Sequence, residues 1–69
     1  MLKRKKQKEI SKFGDLKIRD QFLIVDEASA KRYTVIYNDG ETVTYENCLI
    51  SKIYEENNLE KEVCIIKRY

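Results

Sequence analysis

The sequence predicts a mainly β fold, a small barrel of about five strands that follows a short basic N-terminal helix or arm. Three observations support this prediction: runs of β-branched and aromatic residues, an Asn38-Asp39-Gly40 turn between two of the runs, and a lysine-rich start with no aromatic residue before Phe13. A chain of 69 residues has room for one hydrophobic core. We therefore expect a basic arm over residues 1–13 and one β domain over residues 14–69.

The start of the chain favours a helix. Residues 2–12 contain good helix formers and neither glycine nor proline, so we expect a short helix that ends before Gly14. Its strong apolar anchors are Ile10 and Phe13, and two anchors make a marginal helix. The pattern then changes, because the run of residues 22–25 predicts a strand that begins at a bend near Arg19 and Asp20.

Residues 32–45 give the clearest local signal, two strands around a turn, and predict a hairpin. A three-residue loop pairs Val35 with Val43 and Tyr33 with Tyr45 and places Gly40 in the left-handed region. This register collects one apolar face on the hairpin: Tyr33, Val35, Tyr37, Val43 and Tyr45.

The second half of the domain reads as a turn and two more strands. Residues 46–51 predict a tight turn that sends Leu49 or Ile50 into the core, followed by a strand over 51–55 that adds Ile53. Residues 61–69 have a continuous apolar centre with charged ends, which is typical of a strand paired on both sides or closing a barrel.

The order of these elements resembles an SH3-like barrel, and residues 33–50 resemble the hairpin of Tudor-type domains, in which an aliphatic or aromatic strand, Asp-Gly and an aliphatic turn recur. Tudor domains that bind methylated lysine or arginine hold the cation in a cage of aromatic rings. The resemblance therefore implies a cage drawn from Tyr33, Tyr37, Tyr45 and Tyr54. The competing interpretation is that these rings pack in the core or on the face of the sheet.

The composition argues against catalysis and metal binding. Histidine is absent, and Cys48 and Cys64 lie 16 residues apart without a CxxC motif. With Gly14 and Gly40 as its only glycines the chain cannot form a glycine-rich phosphate loop. We therefore predict a protein that is not an enzyme and uses no cofactor or metal.

Both cysteines sit in apolar stretches, so we expect two buried free thiols, with a disulfide or redox pair as the alternative. The chain has no apolar run of the kind found in a signal peptide or membrane span. We therefore expect a cytoplasmic protein without membrane contact. The abundance of lysine and isoleucine is typical of a low-GC bacterium, its phages or its mobile elements.

Charge is divided along the chain. Residues 1–19 carry eight Lys or Arg against two acids, whereas residues 20–69 carry six against ten. The basic residues predict contact with the phosphates of a nucleic acid. The candidates are Lys3, Arg4, Lys5, Lys6, Lys8, Lys12, Lys17 and Arg19. A solvated tail, or an arm docked on its own acidic body, are the alternatives.

The acidic body supports a second hypothesis, a protein-binding inhibitor or adaptor of a phage or mobile element that presents an acidic, tyrosine-bearing surface or a strand edge to a basic protein partner. Its candidate residues are Tyr37, Asp39, Glu41, Tyr54, Glu55 and Glu56. We expect a monomer, or a homodimer formed through the edge of the last strand.

Overall fold

A computed structural model describes residues 9–27 and 31–68. They form one antiparallel sheet with the strand order β1-β6-β2-β3-β4-β5, which confirms the mainly β prediction. The strands are β1 Glu9–Lys12, β2 Gln21–Ile24, β3 Tyr33–Asn38, β4 Val43–Asn47, β5 Lys52–Glu56 and β6 Glu62–Lys67, and a 3-10 helix spans Phe13–Asp15. Within the described ranges β1 and β5 are the outer strands and do not pair, so the sheet is not closed into the predicted barrel.

The predicted N-terminal helix is wrong where the structure describes it. Glu9–Lys12 form a strand that pairs with β6, with Ile10 opposite Cys64. A short helix with two apolar anchors is marginal, whereas a strand at the edge of β6 gains a ladder of backbone hydrogen bonds. The two anchors separate, because Phe13 is fully buried and Ile10 is 58% exposed. Residues 2–8 of the predicted helix lie outside the described residues.

Strand β6 lies between β1 and β2, so the prediction that the last strand is paired on both sides is confirmed. Its Val63 and Ile65 side chains enter the core. Because β1 and β2 occupy its two edges, neither edge is free to pair with a second copy of the chain. The structure therefore gives no support to a homodimer through this strand, and the oligomeric state stays a prediction.

The core is built around aromatic rings. The Phe22 ring lies 5.4 Å from Phe13, 5.6 Å from Tyr33 and 5.5 Å from Tyr45, measured between centroids. Edge-to-face and tilted contacts at this spacing add to the burial of apolar area. The buried residues come from four of the six strands and from residues 13–16: Phe13, Leu16, Phe22, Ile24, Tyr33, Val35, Val43, Tyr45, Val63 and Ile65.

The hairpin is confirmed, but its predicted register is wrong. Val35 pairs with Tyr45 instead of Val43, and Asn38 pairs with Val43 around a loop of residues 39–42. Gly40 has a φ of 90°, so its predicted left-handed conformation is confirmed.

The register changes at a bulge between Val35 and Tyr37. The extra residue, Ile36, reverses the alternation, so that Tyr37 pairs with Thr44 and leaves the apolar face. Tyr37 is 55% exposed, while Tyr33 and Val35 before the bulge stay buried. One predicted member of the apolar face therefore lies on the outward face, by which we mean the face turned away from the aromatic core.

The predicted bend before β2 is confirmed and is closed by Asp20, which is 1% exposed. Its carboxylate accepts a hydrogen bond from the Lys17 N–H at 2.8 Å and lies 3.5 Å from the Arg68 guanidinium. Arg19 adopts a left-handed φ of 80°. The backbone N–H of Arg19 donates to the backbone carbonyl of Val35, and the Val35 N–H donates to the backbone carbonyl of Asp20, both at 2.9 Å. The turn is thereby fastened to β3 at the residue that precedes the bulge.

We expect Asp20→Ala to lower the free energy of unfolding by about 1–3 kcal/mol, because it removes the acceptor of a backbone N–H and a contact of Arg68. Denaturant unfolding followed by far-ultraviolet circular dichroism measures the change. Glu41→Ala, at an exposed loop position, is the matched control and should shift stability by less than about 0.5 kcal/mol. Equal effects of the two substitutions would show that Asp20 does not hold the turn.

Candidate binding surfaces

The structure describes three of the predicted basic residues, and they differ in their partners. The Lys12 ammonium lies 2.8 Å from the Glu60 carboxylate, and this hydrogen bond raises the pKa of Lys12 above its ordinary value. Lys17 and Arg19 are exposed and belong to the turn that Asp20 closes. Lys3, Arg4, Lys5, Lys6 and Lys8 lie outside the described residues.

The described residues carry nine Lys or Arg against twelve acids, so they are net acidic. The first eight residues hold five Lys or Arg and no acid. A polyanion is attracted to the first eight residues and repelled by the net acidic described residues. Residues 9–19 carry three Lys or Arg against two acids, so the excess of acids lies after Arg19, at the division of charge predicted from the sequence.

The predicted acidic, tyrosine-bearing surface divides between the two faces of the sheet. Tyr37, Thr44 and Glu55 are aligned across β3, β4 and β5 on the outward face. Tyr54 and Glu56 point to the other face, since Tyr54 pairs with the buried Tyr45 and stacks on its ring at 5.5 Å.

The acids of this predicted surface also have structural contacts. The Asp39 carboxylate accepts the N–H groups of Thr42 and Glu41, each at 2.8 Å, and these bonds lower the pKa of Asp39. The Glu56 carboxylate lies 3.4 Å from the Lys61 ammonium. Asp39 therefore shapes the hairpin loop, and Glu56 pairs with its neighbouring lysine.

The four candidate cage tyrosines do not meet at one site. Tyr33 and Tyr45 are 2% and 6% exposed and pack against each other at 5.1 Å, whereas Tyr37 is on the outward face. The Tyr33 hydroxyl donates to the Glu27 carboxylate at 2.9 Å. Tyr33 and Tyr45 are therefore core residues, as the packing interpretation predicts.

The predicted tight turn between β4 and β5 is present, but the predicted burial of its aliphatic residues and of Ile53 in β5 is wrong. Leu49, Ile50 and Ile53 are 90%, 60% and 59% exposed and do not enter the core. Asn47 shapes the turn: it is buried, and its side-chain oxygen accepts the N–H of Leu49 at 2.8 Å and of Ile50 at 3.3 Å. Ser51 closes the turn with a bond of 2.8 Å to the Asn47 carbonyl and a left-handed φ of 58°.

This turn forms one wall of an open pocket of about 640 Å³, which the sequence reasoning did not find. Its lining residues are Lys31, Arg32, Asn47, Cys48, Leu49 and Ile50. The Cys48 N–H donates to the Arg32 carbonyl at 3.2 Å, which joins the turn to the start of β3. The sequence signal for a capped turn is Asn47 followed four residues later by Ser51, with the aliphatic residues Leu49 and Ile50 between them.

Both cysteines are free thiols, which excludes a disulfide between them in this structure. Cys64 is buried, as predicted, but Cys48 is exposed in the pocket, so its predicted burial is wrong. Its sulfur lies 2.9 Å from the Thr34 hydroxyl.

Within residues 9–27 and 31–68, no group of three or more histidine, cysteine or acidic side chains is placed to hold a metal ion. The described part of the chain also contains no helix with the length and apolarity needed to cross a membrane. Comparison with models of protein families, with curated proteins and with solved structures finds no match to this chain. The SH3-like and Tudor-like resemblance therefore stays a prediction.

The buried tyrosines predict a loss of stability at alkaline pH. Burial, reinforced by nearby carboxylates, raises the pKa of Tyr45 from 10.0 to about 12, and burial with the Glu27 hydrogen bond also raises the pKa of Tyr33. Between pH 10 and about pH 12, the ordinary and the raised pKa of Tyr45, the unfolded chain has released more protons than the folded chain. The stability present below pH 10 is therefore expected to fall as the pH rises through that window.

Thermal unfolding midpoints measured from neutral pH to pH 12 test this expectation. Tyr45→Phe removes one of the ionising hydroxyls and should make the fall shallower. Tyr37→Phe, at an exposed position, is the control that keeps both buried hydroxyls. A fall that is as steep in Tyr45→Phe as in the parent protein would contradict the assignment.

Proposed function

We propose that this protein is a small non-catalytic binding module that associates with nucleic acid through its basic N-terminal segment, defined as residues 3–8. The observation that carries the proposal is the division of charge: five Lys or Arg in the first eight residues against a described body with three more acids than bases. Lysine and arginine side chains that neutralise phosphates release condensed counterions, and this release drives association whatever the base sequence.

The described residues add a limited extension to that segment. Lys17 and Arg19 are exposed in one turn, whereas the charge of Lys12 is paired with Glu60. Since the remaining surface is acidic, the sheet itself is expected to repel phosphate. Binding should therefore be on the order of micromolar or weaker and nearly independent of base sequence.

Titration of short duplex and single-stranded DNA and RNA, at low and at physiological salt, tests the proposal. Replacing all five basic residues of the N-terminal segment by glutamine should abolish most of the binding and reduce the slope of log affinity against log salt for duplex DNA by about 4. Lys17→Gln with Arg19→Gln should reduce that slope by at most about 2.

A charge-matched pair of double variants separates position from net charge. One double variant combines Arg4→Gln with Lys5→Gln, and the other combines Lys31→Gln with Lys52→Gln. Each removes two positive charges, but only the first should weaken binding. Equal weakening by the two pairs, or absence of binding by the intact protein at low salt, would remove the nucleic-acid proposal.

A second candidate function, recognition of a basic protein partner, is favoured by Tyr37 and Glu55. They lie on the outward face in one cross-strand row. Tyr37 is 55% exposed, so its ring does not serve to fill the core. An exposed tyrosine and a carboxylate separated by one strand suit a lysine- or arginine-bearing segment, through cation–π and charge contacts.

Chemical-shift mapping with a short lysine-rich peptide tests this second function. The amides of β3 and β5 around Tyr37 and Glu55 should shift, and Tyr37→Ala or Glu55→Lys should suppress the shifts. Glu60→Lys, an equal charge change in the turn before β6, is the control and should leave them in place. Shifts spread evenly over all acidic positions would indicate unspecific charge attraction.

A further inference from the structure

The β4–β5 turn presents aliphatic side chains that the fold does not use. Leu49 and Ile50 are 90% and 60% exposed, and they are adjacent in sequence and line the same pocket. Exposed large apolar side chains that are scattered singly need no explanation, but a contiguous group in a concave site indicates a binding surface.

The turn is held in this conformation by the buried Asn47. Its side chain bonds the N–H groups of both aliphatic residues, and its carbonyl bonds the N–H of Ser51. Cys48 is tied to Arg32 by a further backbone bond. The two aliphatic side chains are therefore presented by an ordered turn, which lowers the entropy cost of binding.

The charge at the pocket is opposite to the charge of the rest of the domain. Of the six lining residues that the structure describes, Lys31 and Arg32 are basic and none is acidic, although the described residues together have more acids than bases. A ligand for this pocket must therefore combine an apolar group with negative charge.

We propose that the pocket is the docking site for an acidic segment of a partner protein that inserts a large aliphatic side chain between Leu49, Ile50 and the stems of Lys31 and Arg32. Carboxylates beside that side chain pair with the two basic head groups, while the lysine and arginine stems add apolar contact. Among the described lining residues there is no aromatic ring on which a base could stack, so the chemistry fits a protein segment better than a nucleic acid.

The described lining residues of this site are distinct from the basic N-terminal segment of the proposed function. Residues 3–8 carry the same sign of charge as those lining residues. The test therefore uses full-length protein in which those five basic residues are replaced by glutamine, so that failure of one proposal does not decide the other.

The experiment measures fluorescence anisotropy with a short labelled peptide in which leucines alternate with aspartates. Leu49→Ser with Ile50→Ser should weaken binding about tenfold or more, because the peptide loses its apolar contact. Ile18→Ser, at a residue that is 54% exposed away from the pocket, is the matched control and should leave the affinity unchanged. Since all these side chains are exposed, the variants should stay folded, which circular dichroism verifies.

Two further peptides make the test specific. A peptide with serine in place of leucine should not bind. The second peptide has lysine in place of aspartate, and the protein variant that combines Lys31→Glu with Arg32→Glu should prefer it to the aspartate peptide. The bound aspartate peptide should also slow alkylation of the Cys48 thiol, which lies in the pocket.

Unchanged affinity in Leu49→Ser with Ile50→Ser, or no exchange of charge preference, would overturn the proposal. Stronger protection of Cys48 by a DNA oligonucleotide than by the aspartate peptide would also overturn it and would assign the pocket to nucleic acid.

Discussion

The contact of Phe22 with three other rings is the interaction on which the rest of the structure depends. Phe22 comes from β2, Phe13 from the 3-10 helix, and Tyr33 and Tyr45 from β3 and β4. Tyr54 of β5 extends the cluster by stacking on Tyr45. A domain of this size buries little apolar area, so large rings supply much of what is available. Three of the four candidate cage rings, those of Tyr33, Tyr45 and Tyr54, are therefore occupied in contacts with one another and with the core.

Local patterns predicted the elements whose causes are local. The hairpin, the left-handed Gly40 and the bend at Arg19 and Asp20 follow from turn residues between β-branched runs. The hairpin register could not be predicted in the same way, because the bulge lies beside backbone bonds between Val35 and a turn fifteen residues earlier in the chain. No pattern within residues 32–45 records that contact.

In the candidate sites, too, features with local causes could be predicted and features that depend on distant contacts could not. Asn47 fixes the β4–β5 turn with its own backbone and side chain, so the turn was predictable, but the direction of its aliphatic side chains was not. Sequence reasoning assigns a large aliphatic residue to the core by default, and Leu49 and Ile50 break that default. Nor could residues 9–12 be recognised as a strand, because their alternation is weak and their partner, β6, is at least fifty residues away. Both proposed sites attract negative charge, but the N-terminal segment suits a polyanion, whereas the pocket suits an acidic segment that also carries an apolar side chain.

The position of β6 between β1 and β2 sets an order of events during synthesis. Residues 9–24 leave the ribosome early, yet both of their strands lack this ladder partner until residues 62–67 have been made and have cleared the exit tunnel. Contacts between such distant parts of a chain form slowly. Until then the growing chain can pair β2, β3, β4 and β5, while β1 and the open edge of β2 remain candidates for pairing with other nascent chains or for capture by chaperones. A fold this small would thus be completed essentially after translation of its last strand, in a single late step.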